Sequence, residues 1–192
     1  MLLLPLALTV AVFQTVPEAP LGSERLRAAV PEFAARADTT LHGYEISGRN
    51  RRGLREVMQR LRPADLEGQR HDAVVLWRYG FQMRGGPAGC DPARTEVTLA
   101  ITVVLPDLAT PERLPRAERA AWNSYFERLV AHETNHVRIA ELGLERMQAA
   151  MRAAPDCEAA RAAGMAENTA IGEASAEYDR RTSHGRREGV VF

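Results

Sequence analysis

His132-Glu133-Thr134-Asn135-His136 is the stretch from which the rest of the chain can be read. It spells H-E-x-x-H. Four residues advance an α-helix by a little more than one turn, so His132 and His136 project from one face and can grip a single ion, with Glu133 about 100° round beside it. Working outward, Trp122, Tyr125, Leu129, Ile139, Ala140, Gly143 and Met147 fall in the same sector as the histidines. That sector is apolar. The pattern predicts one long helix from about Pro115 to Pro155, with both imidazoles on its core-facing side.

Pro155 stops that helix and Asp156 can cap the next, whose apolar stripe runs through Ala160, Ala163, Ile171, Ala174 and Tyr178, interrupted by Glu167. Gly143, Gly164 and Gly172 are costly inside helices and suggest that the two helices approach closely. In the N-terminal half the period is two. His42, Tyr44 and Ile46 alternate in a short strand that Ser47-Gly48 ends; Ala73, Val75, Trp77, Tyr79, Phe81 and Met83 alternate in a second; Val97, Leu99, Ile101, Val103 and Leu105 alternate in a third, until Pro106 breaks the ladder. Between the first two, Leu54, Val57, Met58 and Leu61 recur at helical spacing. The expected fold is α+β: a small antiparallel sheet packed against a long antiparallel helical hairpin that carries H-E-x-x-H, a zincin-like arrangement.

A lone core histidine is ordinarily satisfied by hydrogen bonds. The pair with Glu133 is different, because H-E-x-x-H arises by chance in such a chain on the order of once in a hundred. Catalytic zinc usually keeps three protein ligands and one open position, so a third is required. Ile139 and Leu142 stand where the extended H-E-x-x-H-x-x-G-x-x-H pattern has its glycine and third histidine, which excludes that pattern. His42 and His71 read as solvated surface residues. His184 is the candidate, because a second helix returning antiparallel brings Tyr178 to Gly185 back beside the first. Glu173, Glu177 and Asp179 are the carboxylate alternatives, with a solvated face as the plainer reading of the two glutamates. Asp179 can also orient a histidine ligand, and Tyr178 can donate to a developing oxyanion or simply pack in the core.

Composition bounds the rest. In 192 residues, Lys+Arg 25 balances Asp+Glu 25, which leaves no electrostatic footprint for nucleic acid or an anionic membrane. Leu2 to Phe13 is apolar apart from Thr9, the length of a signal-peptide core and too short to span a bilayer, so no stable membrane insertion is expected. Residues 1–18 are expected to be a signal peptide, 19–39 a flexible segment and 40–192 a single domain, exported to the periplasm or beyond. Cys90 and Cys157 both lie in or beside turns. In an oxidising compartment they are expected to form one disulfide; the alternative is two unpaired small residues.

From Tyr44 to Phe192 the chain resembles a bacterial family of uncharacterised domains, domain of unknown function 922, regarded as secreted zinc-dependent proteases. The resemblance is carried by Tyr44-Glu45-Ile46-Ser47-Gly48, Trp77, Cys90, Leu105-Pro106, Trp122 with Tyr125, the H-E-x-x-H stretch, Cys157, and Tyr178-Asp179-Arg180-Arg181-Thr182-Ser183-His184-Gly185. Asn135 departs from it, where glycine is common. The resemblance implies that His132, His136 and His184 bind Zn2+ and that Glu133 is catalytic. The expected function is zinc-dependent hydrolysis of an amide bond in a peptide or protein substrate, with Glu133 as general base. Two rivals use the same residues: an amidase acting on cell-wall peptides, and a noncatalytic module that zinc stabilises.

Overall fold

The computed structural model describes residues 20–65, 68–85 and 89–192, so the expected signal peptide lies outside the described residues. The elements run α1 (Glu24–Ala29), α2 (Pro31–Ala34), β1 (Thr39–Ile46), α3 (Arg51–Leu61), β2 (Val74–Met83), β3 (Thr95–Leu108), α4 (Arg116–Arg152) and α5 (Cys157–Thr182). They make an α+β fold with a three-stranded sheet in the order β1-β3-β2.

The sheet is not wholly antiparallel as expected. β1 pairs parallel with β3, from Thr39 against Ile101 to Ile46 against Leu108. The reason is the connection: a parallel neighbour needs a long crossover, and here α3 and β2 both intervene before the chain returns as β3. Pro106 does not end β3, which continues to Leu108 with Pro106 opposite Tyr44. A proline removes a single N–H, and a strand tolerates it where no partner requires that donor.

The segment expected to be flexible before residue 40 is folded. Ser23 caps α1 by accepting from the Leu26 N–H at 3.1 Å, Pro31 opens α2, and Leu26, Val30 and Phe33 are buried. Residues 20–22 lie along β1: the Gly22 N–H donates to the Leu41 carbonyl, and the Gly43 N–H to the Pro20 carbonyl. Gly43 is a tight position: a Cβ there would sit 3.0 Å from both Asp107 and Leu26 side-chain carbons, which would have to give way slightly. In α3, Asn50 caps the first turn through the Gly53 N–H, while Leu54 and Met58 are buried and Leu61 is exposed instead of joining their stripe.

By its contacts the chain divides into two compact units. The first holds 78–99 and 138–177; the second holds the described residues up to Trp77 together with 100–137 and 178–192. In the first unit, Cys90 and Cys157 form the expected disulfide, with their Cα atoms 6.5 Å apart. The helices there run antiparallel, since Arg146 reaches Glu167 while Gly143 faces Ile171 and Met151 faces Gly164. Asp156 caps α5 by accepting from the Ala159 N–H at 2.8 Å. The buried stripe differs in detail: Gly164, Ile171 and Ser175 are covered, whereas Ala174 and Gly172 are exposed.

Gly143 makes that helix contact possible. A Cβ built on it would meet Ile171 carbons at 2.3 and 2.4 Å, with the Tyr79 hydroxyl 3.0 Å away. Tyr79 is itself held there by donating to the Ala140 carbonyl at 2.6 Å. Gly143→Ala is therefore expected to cost about 1–3 kcal/mol through overpacking. Thermal unfolding followed by circular dichroism should show a melting temperature lowered by about 2–4 °C per kcal/mol. An unchanged melting temperature would mean that Ile171 can move aside freely.

Candidate metal centre

The centre lies in the second unit, on the stretch of α4 before Val137 and on the end of α5. In α4 the period that buries Trp122, Tyr125 and Leu129 also buries His132, Glu133 and His136, at 5%, 4% and 6% exposure. The aromatic residues form a floor about two to three turns earlier: Trp122 meets the Phe192 ring edge-on at 5.2 Å and Tyr125 lies 5.0 Å from that ring.

The two imidazoles stand nearly perpendicular, with centroids 4.9 Å apart, and turn Nε2 toward one point. There Asp179 Oδ1 lies 3.2 Å from the Nε2 of His132 and 3.2 Å from the Nε2 of His136. Among the described residues, His132, His136 and Asp179 are the group whose ligand atoms all fall within 4.8 Å of one another. Neighbouring ligands around a tetrahedral ion with bonds of about 2.0–2.1 Å are separated by about 3.3 Å. Both histidine–Asp179 separations match that value, and nitrogen with carboxylate donors is a set that could hold a metal ion.

His184 is next to this group without joining it. Its Nδ1 is 3.7 Å from Asp179 Oδ1 and its side chain is 54% exposed. The reason is where α5 stops: the helix runs on through Thr182, so Asp179 still projects from its last full turn. Ser183 and His184 then adopt left-handed backbone at φ 53° and 50°. The His184 ring consequently lies against His71, centroids 5.0 Å apart. His71 is thus not a solvated surface residue: it is partly covered and hydrogen-bonded to Asp65 at 2.9 Å. Glu173 and Glu177 are exposed and belong to the first unit, and His42 sits in β1 opposite Val104.

Two residues of the centre have no mark in the H-E-x-x-H pattern. Glu188 Oε2 is 2.8 Å from His132 Nδ1, on the far side of the ring from Asp179. The Tyr178 hydroxyl donates to the same Glu188 carboxylate and accepts from Asn135 Nδ2 at 2.8 Å, while its ring stacks on His132 at 4.9 Å. Tyr178 is buried and its hydroxyl is committed to these partners, so it combines packing with the orientation of Glu188. A short turn between two left-handed glycines, Gly185 and Gly189, carries Glu188, and only that pair of glycines hints at it in the sequence.

The electrostatics follow from three carboxylates around two imidazoles. Burial pushes the His132 pKa down, but the Asp179 hydrogen bond, the Glu133 charge and the Glu188 hydrogen bond outweigh it and raise the value to about 9. Burial would lift Asp179, yet its bonds to His132 and His136 hold it well below the ordinary carboxylate range. Burial raises Glu133, against the pull of His136 and His132. In the metal-free protein the histidine contribution has a definite sign. A pKa raised in the folded state stabilises fully below the unfolded value near 6.5 and is lost as pH rises through about 9. Chelator-treated protein is expected to lose about 1–2 kcal/mol across that window, after discounting for solvent screening. Urea midpoints measured from pH 6 to pH 10 should fall accordingly, and His132→Ala should flatten the profile.

No curated protein and no solved structure shows a significant match to the chain. A family model does match, over residues 41–185, which takes in most of β1, both cysteines, the H-E-x-x-H helix and His184. The chain therefore belongs to the family described as bacterial protein of unknown function (DUF922).

Proposed function

We propose that the protein is an exported zinc-dependent hydrolase that cleaves amide bonds in peptides. The observation that carries this reading is the convergence of His132 Nε2 and His136 Nε2 on a single Asp179 oxygen, at 3.2 Å each, beside a buried glutamate. His132, His136 and Asp179 would hold the ion, and His184 is close enough to Asp179 to adjust its position. Zinc bound there supplies Lewis acidity, polarising a carbonyl and acidifying a water. Glu133, buried beside both histidines, would take a proton from a water at the centre and return it to the leaving amine. Glu188 and Tyr178 hold the His132 ring while this occurs. The disulfide supports an oxidising compartment, and among the described residues no helix is long and apolar enough to cross a membrane.

The near-complete burial of His132, Glu133 and His136 favours one other reading, a metal that stabilises a binding module without catalysis. Both are tested on the purified chain by metal analysis, chelation and incubation with a mixed peptide library, with purified peptidoglycan alongside to separate a cell-wall amidase. Stoichiometric zinc that is lost in His132→Ala and His136→Ala, together with cleavage that stops on chelation, supports the hydrolase. Zinc whose removal lowers only the melting temperature supports the module. Absence of zinc from wild-type protein supplied with it removes both.

A further inference from the structure

The turn after α5 does more for the centre than close the fold. Gly185 adopts left-handed backbone at φ 76° and a Cβ there would come within 2.7 Å of Val190 and 3.2 Å of the His132 ring, so the chain crosses directly over that histidine. The Glu188 N–H and the Val190 N–H both donate to the Gly185 carbonyl, at 2.9 and 3.0 Å, which closes the turn. Arg128, one turn before His132 on α4, donates to the Gly189 carbonyl at 3.3 Å. Phe192 is buried against Trp122 and Tyr125 and anchors the segment. Held at these points, Glu188 presents one carboxylate to His132 Nδ1 and to the Tyr178 hydroxyl together.

We propose that Glu188 is the positioning residue that sets the affinity of the centre for its metal, by accepting the Nδ1–H of His132 and so keeping Nε2 turned toward Asp179. An imidazole can rotate about its last side-chain bond and can carry its proton on either nitrogen. A carboxylate on Nδ1 fixes both choices and makes Nε2 the better donor. Glu188 lies outside the residues that the family model matches, so this support comes from a part of the chain beyond the family pattern. The inference rests on the metal-binding reading above.

The test measures zinc affinity by competition with a chromophoric chelator for wild type, Glu188→Ala and Glu188→Gln. It is paired with nitrogen-15 NMR of the His132 imidazole in the zinc-bound protein. Glu188→Ala is expected to weaken binding about 10–100-fold. Glu188→Gln, which matches the shape and keeps a neutral acceptor, is expected to fall between it and wild type. Wild-type His132 should show a protected Nδ1–H that Glu188→Ala loses, a change that a purely structural role would not produce. Should Glu188→Ala fold poorly, the glutamine variant alone decides the matter. Wild-type zinc affinity and an unchanged His132 proton in the variants overturn the role of Glu188 and leave the metal site standing. A wild-type protein that binds no zinc overturns the metal reading, and this one with it.

Discussion

Glu133→Gln is expected to reduce peptide hydrolysis by about 10²–10⁴-fold while zinc content stays at the wild-type level. The substitution matches the side chain in size and removes only its ability to take a proton. Glu133 is 4% exposed and on the helix face next to the two histidines, so an amide fills its place without opening a cavity. It is not among the three residues whose ligand atoms cluster, so the ion should remain. His136→Ala should behave differently, losing both metal and activity. The comparison is made on one preparation of each variant, with turnover and metal content measured together. Hydrolysis by Glu133→Gln at the wild-type rate would remove Glu133 from the chemistry, and loss of zinc would make it a ligand.

Reduction of the Cys90–Cys157 disulfide should produce the largest change in stability. The bridge spans a sequence separation of 67, and closing a loop of that length restricts the unfolded chain by roughly 4 kcal/mol. At about 2–4 °C per kcal/mol, calorimetry should record a melting temperature lower by roughly 10 °C in reductant or in Cys157→Ser. The bridge ties the segment before β3 to the first turn of α5, so its loss should be felt in the first unit. An identical melting temperature with and without reductant would mean that the unfolded chain is restricted there by other means.

The parts of the fold legible in the sequence are those set by local periodicity and capping. α4 could be read because its apolar positions recur at helical spacing over many turns, and the start of α5 because Asp156 is a good cap directly after Pro155. The alternation of β3 held from Val97 to Val103, where one face is covered and the other is not. What local pattern cannot carry is partnership. The parallel pairing of β1 with β3 depends on where α3 and β2 take the chain, and nothing in the residues of β1 records it. Leu26, Val30 and Phe33 lie in a short Pro- and Ala-containing stretch with too few turns to show a period, which is why it reads as flexible.

The site divides in the same way. His132, Glu133 and His136 are spaced by the helix itself, so their juxtaposition follows from the sequence alone. The approach of the end of α5 was also legible, but the residue that arrives depends on where the helix ends. Three residues at the C-terminal side, Thr182 to His184, decide whether Asp179 or His184 faces the histidines, through a left-handed turn that ordinary side chains rarely adopt. Glu188 reaches the centre from a glycine-bounded turn, and His71 reaches the neighbouring His184 from the segment before β2, positions where neither spacing nor amphipathicity marks them.

The most direct test of the metal centre is a crystal structure of the zinc-treated protein with anomalous data collected at the zinc edge. The predicted result is one anomalous peak in contact with His132 Nε2, His136 Nε2 and Asp179 Oδ1, with Glu188 still bonded to His132 Nδ1. No peak there, with Asp179 still hydrogen-bonded to both imidazoles, would contradict it.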